Sequence, residues 1–272
     1  MEKSVQQDLL KKAFSIKKRF LGMYKAANAG HVGSSLSVAE IITFVRFNWM
    51  SDNDEIILSK GHAAASIYSM LAEEGILSEE DIKTFYKNNT YLAAHPPVNK
   101  LKRVPFATGS LGHGLSIAAG LGMAQRLKKS DKRIFCITSD GEINEGSTWE
   151  AALFIAHHNL NNVVWLVDRN MLQGLGRTED VMKLDPLDKK IEAFGFNVIM
   201  ADGHSFHSLE GAKEKALKSN LPTAIICNTT KGKGWKLYED KLDSHYLPMK
   251  DNQHDVVLAD VEKDYNHQIS QL

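Results

Sequence analysis

The feature that most constrains the fold is a regular alternation of strand and helix patterns after residue 133. Apolar runs typical of strands read "RIFCITS", "NVVWLVD", "NVIMAD" and "TAIICNTT", and they are separated by the helical patterns "GSTWEAALFIAHHN", "PLDKKIEAFG" and "SLEGAKEKALKS". Strands that alternate with helices indicate a parallel sheet covered on both faces. We therefore predict one α/β domain, a three-layer sandwich with a mainly parallel sheet.

The first half of the chain is predicted to be mostly helical. Helical periodicity covers residues 5–21 and 38–49, with a glycine-rich turn, "AANAGHVGSSLS", between them at 26–37. A strand at 54–59 runs into a helix that ends at Gly75, and Ser78 with Asp81 forms a capping box. Residues 87–112 are predicted as a functional loop, followed by a helix over 112–127. Residues 1–250 are expected to form the domain, and 251–272 a loosely attached C-terminal tail.

Composition excludes several classes of function. The 272 residues carry 33 Lys and Arg against 33 Asp and Glu, so a nucleic-acid partner, which requires a basic face, is not expected. The sequence shows neither a secretion signal nor a membrane span, which leads us to expect a cytoplasmic protein that does not bind a membrane. Cys136 and Cys227 lie in apolar runs and are predicted to be core thiols.

Oxygen donors follow two of the predicted strands. Asp140 ends the first strand, in "CITSDGEINEGSTWEAA", and Asp168 and Asn170 end the next. Thirty residues separate Asp140 from Asn170, the length of one strand–helix–strand crossover, so the two side chains can face each other across one crevice. A carboxylate with an amide oxygen suits Mg²⁺ or Ca²⁺ rather than Zn²⁺. Asp168 is equally well explained as a plain strand-end acid.

Several motifs together resemble the transketolase family. "SDGEINEG" followed by "DRN" is similar to the thiamine diphosphate motif, and "AANAGHVGSSLS", "LSKGHAAASIYSML", "TGSLGHGLSIAAGLGMA" and "TTKGKG" follow the family's order. Ser139 departs from the family's usual glycine. The resemblance implies a thiamine diphosphate-binding fold of the PP type. It also implies thiamine diphosphate with Mg²⁺ or Ca²⁺ as cofactors, the metal being held by the side chains of Asp140 and Asn170 and the carbonyl of Leu172.

The resemblance also implies roles for individual residues. The catalytic residues would be His31, His62, His95 and His245. Cofactor contacts would come from His62, Gly109, Ser110, Leu111, His113, Gly141, Glu142, Glu145, Asn170 and His245. Some of these have simpler explanations: turn geometry accounts for the glycines, and an ordinary first-turn acid accounts for Glu145 as well as an interface carboxylate does. The lysines of "KGKG" are explained equally well by a solvated loop. His113 stands where glutamine is usual, and Tyr246, where glycine is common, is expected to narrow the mouth of the site.

The activity implied is transfer of a two-carbon ketol unit from a ketose to an aldose, with sugar phosphates as the expected substrates. In the family, a glutamate needed by the cofactor's pyrimidine ring lies in a separate domain, so we expect a partner chain carrying the pyrimidine-binding and C-terminal domains, and an α₂β₂ assembly. Two alternatives remain: a subunit of a 2-oxo acid dehydrogenase, and a non-catalytic scaffold that binds the diphosphate. "AGHVG" and "KGHAA" together argue against the first, and the four histidines argue against the second.

Overall fold

The computed structural model describes residues 1–250 and 252–272 and contains a five-stranded parallel sheet with the strand order β1-β2-β3-β7-β6. The strands are Glu55–Leu58 (β1), Ile134–Ser139 (β2), Val163–Arg169 (β3), Asn197–Asp202 (β6) and Thr223–Asn228 (β7). Two short strands, Leu172–Gln173 (β4) and Gly176–Arg177 (β5), form an antiparallel hairpin directly after β3. The predicted fold class, a mainly parallel α/β sandwich, is confirmed.

Each face of the sheet carries its own hydrophobic core. In β2, Phe135 and Ile137 pack into one core, and Ile134 and Cys136 pack into the other. The alternation follows from the pleat, which points successive side chains to opposite faces. Strands buried on both faces need continuous apolar runs, which is why the sequence patterns were so clear. Both cysteines are free and fully buried, as predicted.

The helices supply the two outer layers. In the first half they are Lys3–Ala27 (α1), Val32–Phe44 (α2), Ala64–Glu73 (α3), Glu79–Ile82 (α4) and Gly114–Leu127 (α5). In the second half they are Gly146–His157 (α6), Thr178–Val181 (α7), Leu187–Ala193 (α8), Phe206–Leu217 (α9), Asp243–Tyr246 (α10) and Gln253–Ser270 (α11). The predicted capping box of Ser78 and Asp81 is present at α4. None of the helices in the described part of the chain combines the length and the apolar character that crossing a bilayer requires.

The start of α2 differs from the prediction. The turn predicted at 26–37 is confined to the few residues between α1 and α2, because α1 is longer than predicted and α2 begins at Val32. The glycines of this stretch predicted a turn, but every residue of α2 is buried, and the Ser37 hydroxyl donates to the Ser34 carbonyl one turn earlier in the helix. Residues 45–49, predicted as the end of this helix, form a wider π-helical turn.

The C-terminal stretch is a packed helix, not the loosely attached tail that the polar sequence predicted. Val257 and Val261 of α11 are buried, and the Tyr265 ring stacks on Phe14 of α1 with centroids 4.7 Å apart. One apolar stripe is enough to hold a helix that is otherwise polar. The predicted domain boundary at residue 251 lies outside the described residues.

Candidate functional site

A crevice of about 240 Å³ lies at the edge of the sheet where the parallel strands end. The residues that line it include His62, Leu111, Gly141, Glu145, Asn170, Leu172, Lys231, His245 and Tyr246. They come from separate parts of the chain, which meet because parallel strands all end at one edge. A larger cavity of about 540 Å³ lies between α1 and residues 79–87, and neither Asp140 nor any of the four predicted histidines lines it.

Asp140 follows β2 and is 1% exposed. Its carboxylate accepts hydrogen bonds from the Met171 N–H at 2.8 Å and the Thr178 hydroxyl at 3.0 Å, so it reaches the segment that follows β3. Burial raises the pKa of Asp140 to about 6, and the negative charge of Asp168 adds to this effect. A buried carboxylate held in this way is a favourable place for a cation, which would lower its pKa again.

The other two predicted metal donors lie in the same segment. Asn170 is 2% exposed, and its side-chain oxygen accepts from the Leu172 N–H at 3.1 Å. The Leu172 carbonyl oxygen accepts a hydrogen bond from the Lys231 side-chain nitrogen at 3.0 Å. Among the described residues, no group of three or more His, Cys, Asp or Glu side chains is arranged so that it could hold a metal ion by itself. A carboxylate, an amide and a carbonyl oxygen therefore fit a hard cation such as Mg²⁺ better than Zn²⁺.

Three of the four predicted catalytic histidines meet at the crevice. The His31 ring centroid lies 5.3 Å from that of His62 and 5.5 Å from that of His245, and the last two are 5.6 Å apart. Burial lowers the pKa of His31 to about 4 and that of His245 to about 3, with the charge of Lys231 contributing to both. Burial also holds the pKa of His62 well below its usual range, so all three rings are neutral at pH 7.

His95 lies on the predicted loop and reaches the same region through Gly109. A side chain at Gly109 would come within 2.8 Å of the His95 ring, and Gly109 has a φ of +148°, which other residues rarely adopt. Within the part of the chain that the structure describes, the N–H groups of Gly109, Ser110 and Leu111 donate to no other group. The helix predicted over 112–127 begins at Gly114 as α5, so the free N–H groups belong to the turn that precedes it.

Two predicted cofactor-contact residues, Glu142 and His113, have hydrogen-bond partners within the chain. Glu142 is fully buried, and its carboxylate accepts from the Ser59 hydroxyl and from the Gly112 N–H at 2.9 Å. Through these hydrogen bonds, Glu142 links the turn before α5 to the ends of β1 and β2. His113 is exposed, and its ring nitrogen lies 3.1 Å from the Leu111 carbonyl oxygen. Glu145, by contrast, is exposed and lines the crevice.

Sequence reasoning missed two buried lysines. Lys60 is fully buried and pairs with Asp168, whose carboxylate also accepts from Ser37 at 2.6 Å. Burial alone would raise the pKa of Asp168, but Lys60 and the hydrogen bonds hold it below its usual range. Lys231 is 2% exposed, and its ammonium lies 2.5 Å from the Nδ1 atom of His245. Burial, with the charge of Lys60 adding to it, lowers the pKa of Lys231 to about 7.

Tyr246 lies across one side of the crevice. A side chain on Gly174 would come within 2.0 Å of the Tyr246 hydroxyl, so the absence of one at Gly174 makes room for this ring. The ring also contacts His31, with centroids 5.8 Å apart. These contacts put a large side chain at the mouth of the crevice, where the sequence analysis expected narrowing.

The neutral histidines predict a pH-dependent stability. Their pKa values in the fold lie below the unfolded value of 6.5, so the unfolded chain takes up more protons, and the free energy of unfolding falls as the pH drops from 6.5 towards the folded values. Urea denaturation of wild type and His245→Gln at pH 7.5 and 5.5 measures how much the His245 ring contributes to this decrease. Between these two pH values, the free energy of unfolding should fall by about 1.4 kcal/mol less in the variant than in wild type. His157 is exposed, and in the His157→Gln control the free energy of unfolding should fall by as much as in wild type. An equal decrease in both variants would contradict the prediction.

The fold and the crevice define a class. An α/β domain with oxygen donors and unpaired N–H groups beyond the carboxyl ends of its strands has the features of a domain that binds a phosphate-bearing ligand. A family model described as transketolase, thiamine diphosphate binding domain, matches residues 11–265. This chain therefore belongs to the transketolase family, as the sequence motifs indicated.

Similar proteins divide into two groups by length. The chain is 36% identical over 265 residues to one of the subunits of the apulose-4-phosphate transketolase from Actinobacillus succinogenes, and the match covers 94% of this chain and 96% of that one. It is 34% identical over 269 residues to the 6-deoxy-6-sulfo-D-fructose transketolase subunit from Clostridium sp. strain MSTE9, and the match covers 95% of this chain and 98% of that one.

The second group consists of longer proteins. Human transketolase is 37% identical over 246 residues, which cover 87% of this chain but 39% of the enzyme. The crystal structure of transketolase from Campylobacter jejuni matches with a TM-score of 0.85 at 30% identity, over 98% of this chain and 43% of that one. The chain thus spans about two fifths of these enzymes and nearly all of the two separate subunits.

Proposed function

We propose that this chain is the thiamine diphosphate-binding subunit of a transketolase that transfers a two-carbon ketol unit from a ketose to an aldose. One observation carries the proposal: in a member of this family, three neutral histidines, a buried lysine and a hard-cation donor set converge on one crevice. A scaffold that only bound a diphosphate would need the donor set but not the histidines.

The cofactor would be held by the residues at the strand ends. Asp140, Asn170 and the Leu172 carbonyl would hold Mg²⁺ or Ca²⁺, and the metal would hold the diphosphate. The free N–H groups of Gly109, Ser110 and Leu111 suit the phosphate oxygens, and Lys231 supplies a buried amine whose protonated form a diphosphate would stabilise. When bound, thiamine diphosphate supplies the carbanion chemistry that the protein itself lacks.

The histidines would bind sugar hydroxyls and move protons. Neutral imidazoles can donate with one nitrogen and accept with the other, so a cluster of them suits a substrate rich in hydroxyl groups. His31 and His245 contact each other and Tyr246, and we assign them to the reacting carbons. His62 and His95 are assigned to the substrate's further hydroxyls.

We expect His62→Ala and His95→Ala to slow transfer far more than they weaken cofactor binding, although His62 is also a predicted cofactor contact. Loss of one hydrogen bond to a substrate hydroxyl costs about 1–3 kcal/mol, which corresponds to roughly ten- to a hundredfold in rate. Steady-state kinetics of the assembled enzyme, with cofactor affinity measured by calorimetry, separates the two effects. His267→Ala, on α11 and outside the crevice, is the control. Unchanged turnover in both variants would remove these histidines from the site.

The substrates we propose are sugar phosphates. The two subunits of similar length are named for a phosphorylated and a sulfonated ketose, so an anionic group at the far end of the sugar is the shared feature. The partner we propose is a second chain with the pyrimidine-binding and C-terminal domains, in an α₂β₂ assembly.

Assays with two classes of substrate, ketose phosphates and 2-oxo acids, distinguish the proposed function from its alternatives. Mixed with its partner chain, thiamine diphosphate and Mg²⁺, the protein should release an aldose phosphate from a ketose phosphate when an aldose acceptor is present. Decarboxylation of a 2-oxo acid without ketol transfer would support the dehydrogenase alternative. If neither substrate reacts although the cofactor binds, the scaffold alternative is correct.

A further inference from the structure

The position of Lys231 is set by the turn of residues 229–232, here called the lysine turn. The Thr229 hydroxyl donates to Asp168, the Gly232 N–H donates to the Gly33 carbonyl at 3.0 Å, and the Thr230 N–H donates to the Nε2 atom of His204 at 2.9 Å. Thr230 directly precedes Lys231 in the chain, so this hydrogen bond holds the backbone next to Lys231. His204 therefore fixes the backbone from which the buried ammonium reaches Leu172 and His245.

His204 is itself held in one tautomer. Because Nε2 accepts from Thr230, the proton lies on Nδ1, which is 3.0 Å from the Oε2 atom of Glu40 and donates to it. The other oxygen of Glu40 pairs with Lys17 of α1. Glu40 is 4% exposed; burial alone would raise its pKa, but Lys17 and His204 outweigh burial and lower it to about 2. Glu40 is thus a fixed acceptor for the imidazole at neutral pH.

A chain of polar contacts thus runs from α1 through α2 and the segment after β6 to the lysine turn. Lys17, Glu40 and His204 do not line the crevice. An ammonium on a flexible four-carbon stem is poorly oriented unless its backbone is fixed, and small misplacements of binding groups are costly. We propose that Lys17, Glu40 and His204 are positioning residues that hold Lys231 against the cofactor's diphosphate. This inference rests on the proposed function of the crevice.

A double-mutant cycle between His204 and Lys231 tests the inference. His204→Phe keeps a ring but removes the acceptor for the Thr230 N–H, whereas the side-chain oxygen of His204→Gln can replace Nε2. Calorimetry with thiamine diphosphate and Mg²⁺ on the assembled enzyme should show roughly tenfold weaker binding for His204→Phe and recovery of most of this loss in His204→Gln. Lys231→Met should weaken binding further. Adding His204→Phe to Lys231→Met should cost no more affinity, because the group being positioned is gone.

Thermal unfolding of the same proteins separates positioning from stability. The losses in Tm should add in the double variant even though the losses in affinity do not. Additive losses in affinity, or no rescue by His204→Gln, would overturn the positioning role while leaving the function of Lys231 intact. Unchanged affinity in Lys231→Met would overturn the role proposed for Lys231 itself, and this inference with it. If His204→Phe does not fold, His204→Asn, too short to reach the Thr230 N–H, takes its place with the same expectations.

Discussion

Purified alone, this chain should turn over no ketose, and addition of a second chain should restore activity. The crevice described here contains a metal donor set and histidines, whereas the resemblance to transketolases assigns the glutamate that activates the cofactor to another domain. The chain matches about two fifths of the longer transketolases and nearly all of two relatives that are named as transketolase subunits. Loss of a general acid–base group commonly costs on the order of 10²–10⁴-fold in rate, so the difference should be large.

The measurement is ketol transfer by the purified chain before and after titration with a chain that carries the pyrimidine-binding and C-terminal domains. Activity should saturate at equal amounts of the two chains, and light scattering should give a complex with two copies of each. Asp140→Ala, purified in the same way, reports any contaminating host transketolase. Transfer at normal rates by the pure chain alone, at levels above that control, would refute the requirement for a partner.

The sheet could be predicted from the sequence because its strands are buried on both faces. Such strands are continuous apolar runs, and their order along the chain with helices between them leaves few possible topologies. The same topology brought Asp140 close to Asn170, since both follow neighbouring strands; the Met171 N–H confirms this proximity by donating to Asp140. This part of the site depends on local pattern and connectivity, which a sequence contains.

The buried lysines could not be predicted in this way. A lysine between glycine and threonine, as in "TTKGKG", is usually solvated, and the burial of Lys231 depends on Leu172 and His245, which are distant in sequence. A signal was nevertheless present. Lys60 lies two residues after β1 and Lys231 three residues after β7, so both are at the sheet edge that identified Asp140. Applying the strand-end rule to cations as well as to acids would have found them.

One other error has the same cause. The loosely attached tail was predicted from its polar composition, although Val257 and Val261 are buried and pack α11 against its neighbours. The cofactor contact of Glu142 stays a prediction, but the hydrogen bonds of its carboxylate with Ser59 and Gly112 were equally absent from the sequence pattern. In each case the decisive partner lies in another element, and single-sequence patterns do not contain that contact.

The second large effect concerns the metal. We expect thiamine diphosphate to bind tightly only with a divalent cation, and Asp140→Ala to abolish the benefit of the cation. Asp140 is buried, and burial and the charge of Asp168 raise its pKa to about 6, so a cation beside the carboxylate would favour its ionised form. Outer-shell partners of metal ligands typically contribute 10–100-fold to affinity, so loss of a direct ligand should weaken cofactor binding by more than about 100-fold. Calorimetry of the assembled enzyme with Mg²⁺, and then with excess chelator, measures the effect.

The losses of cofactor affinity caused by the chelator and by the substitution should not add, because both remove the same cation-mediated link between the carboxylate and the diphosphate. Wild type with chelator, Asp140→Ala with Mg²⁺ and Asp140→Ala with chelator should therefore share one weak affinity. Asp131→Ala is the matched control, since the exposed Asp131 precedes β2 at the opposite edge of the sheet and should keep the full Mg²⁺ effect. Equal affinity of wild type with and without Mg²⁺ would disprove the metal site, and a further loss on adding chelator to Asp140→Ala would place the cation on other residues.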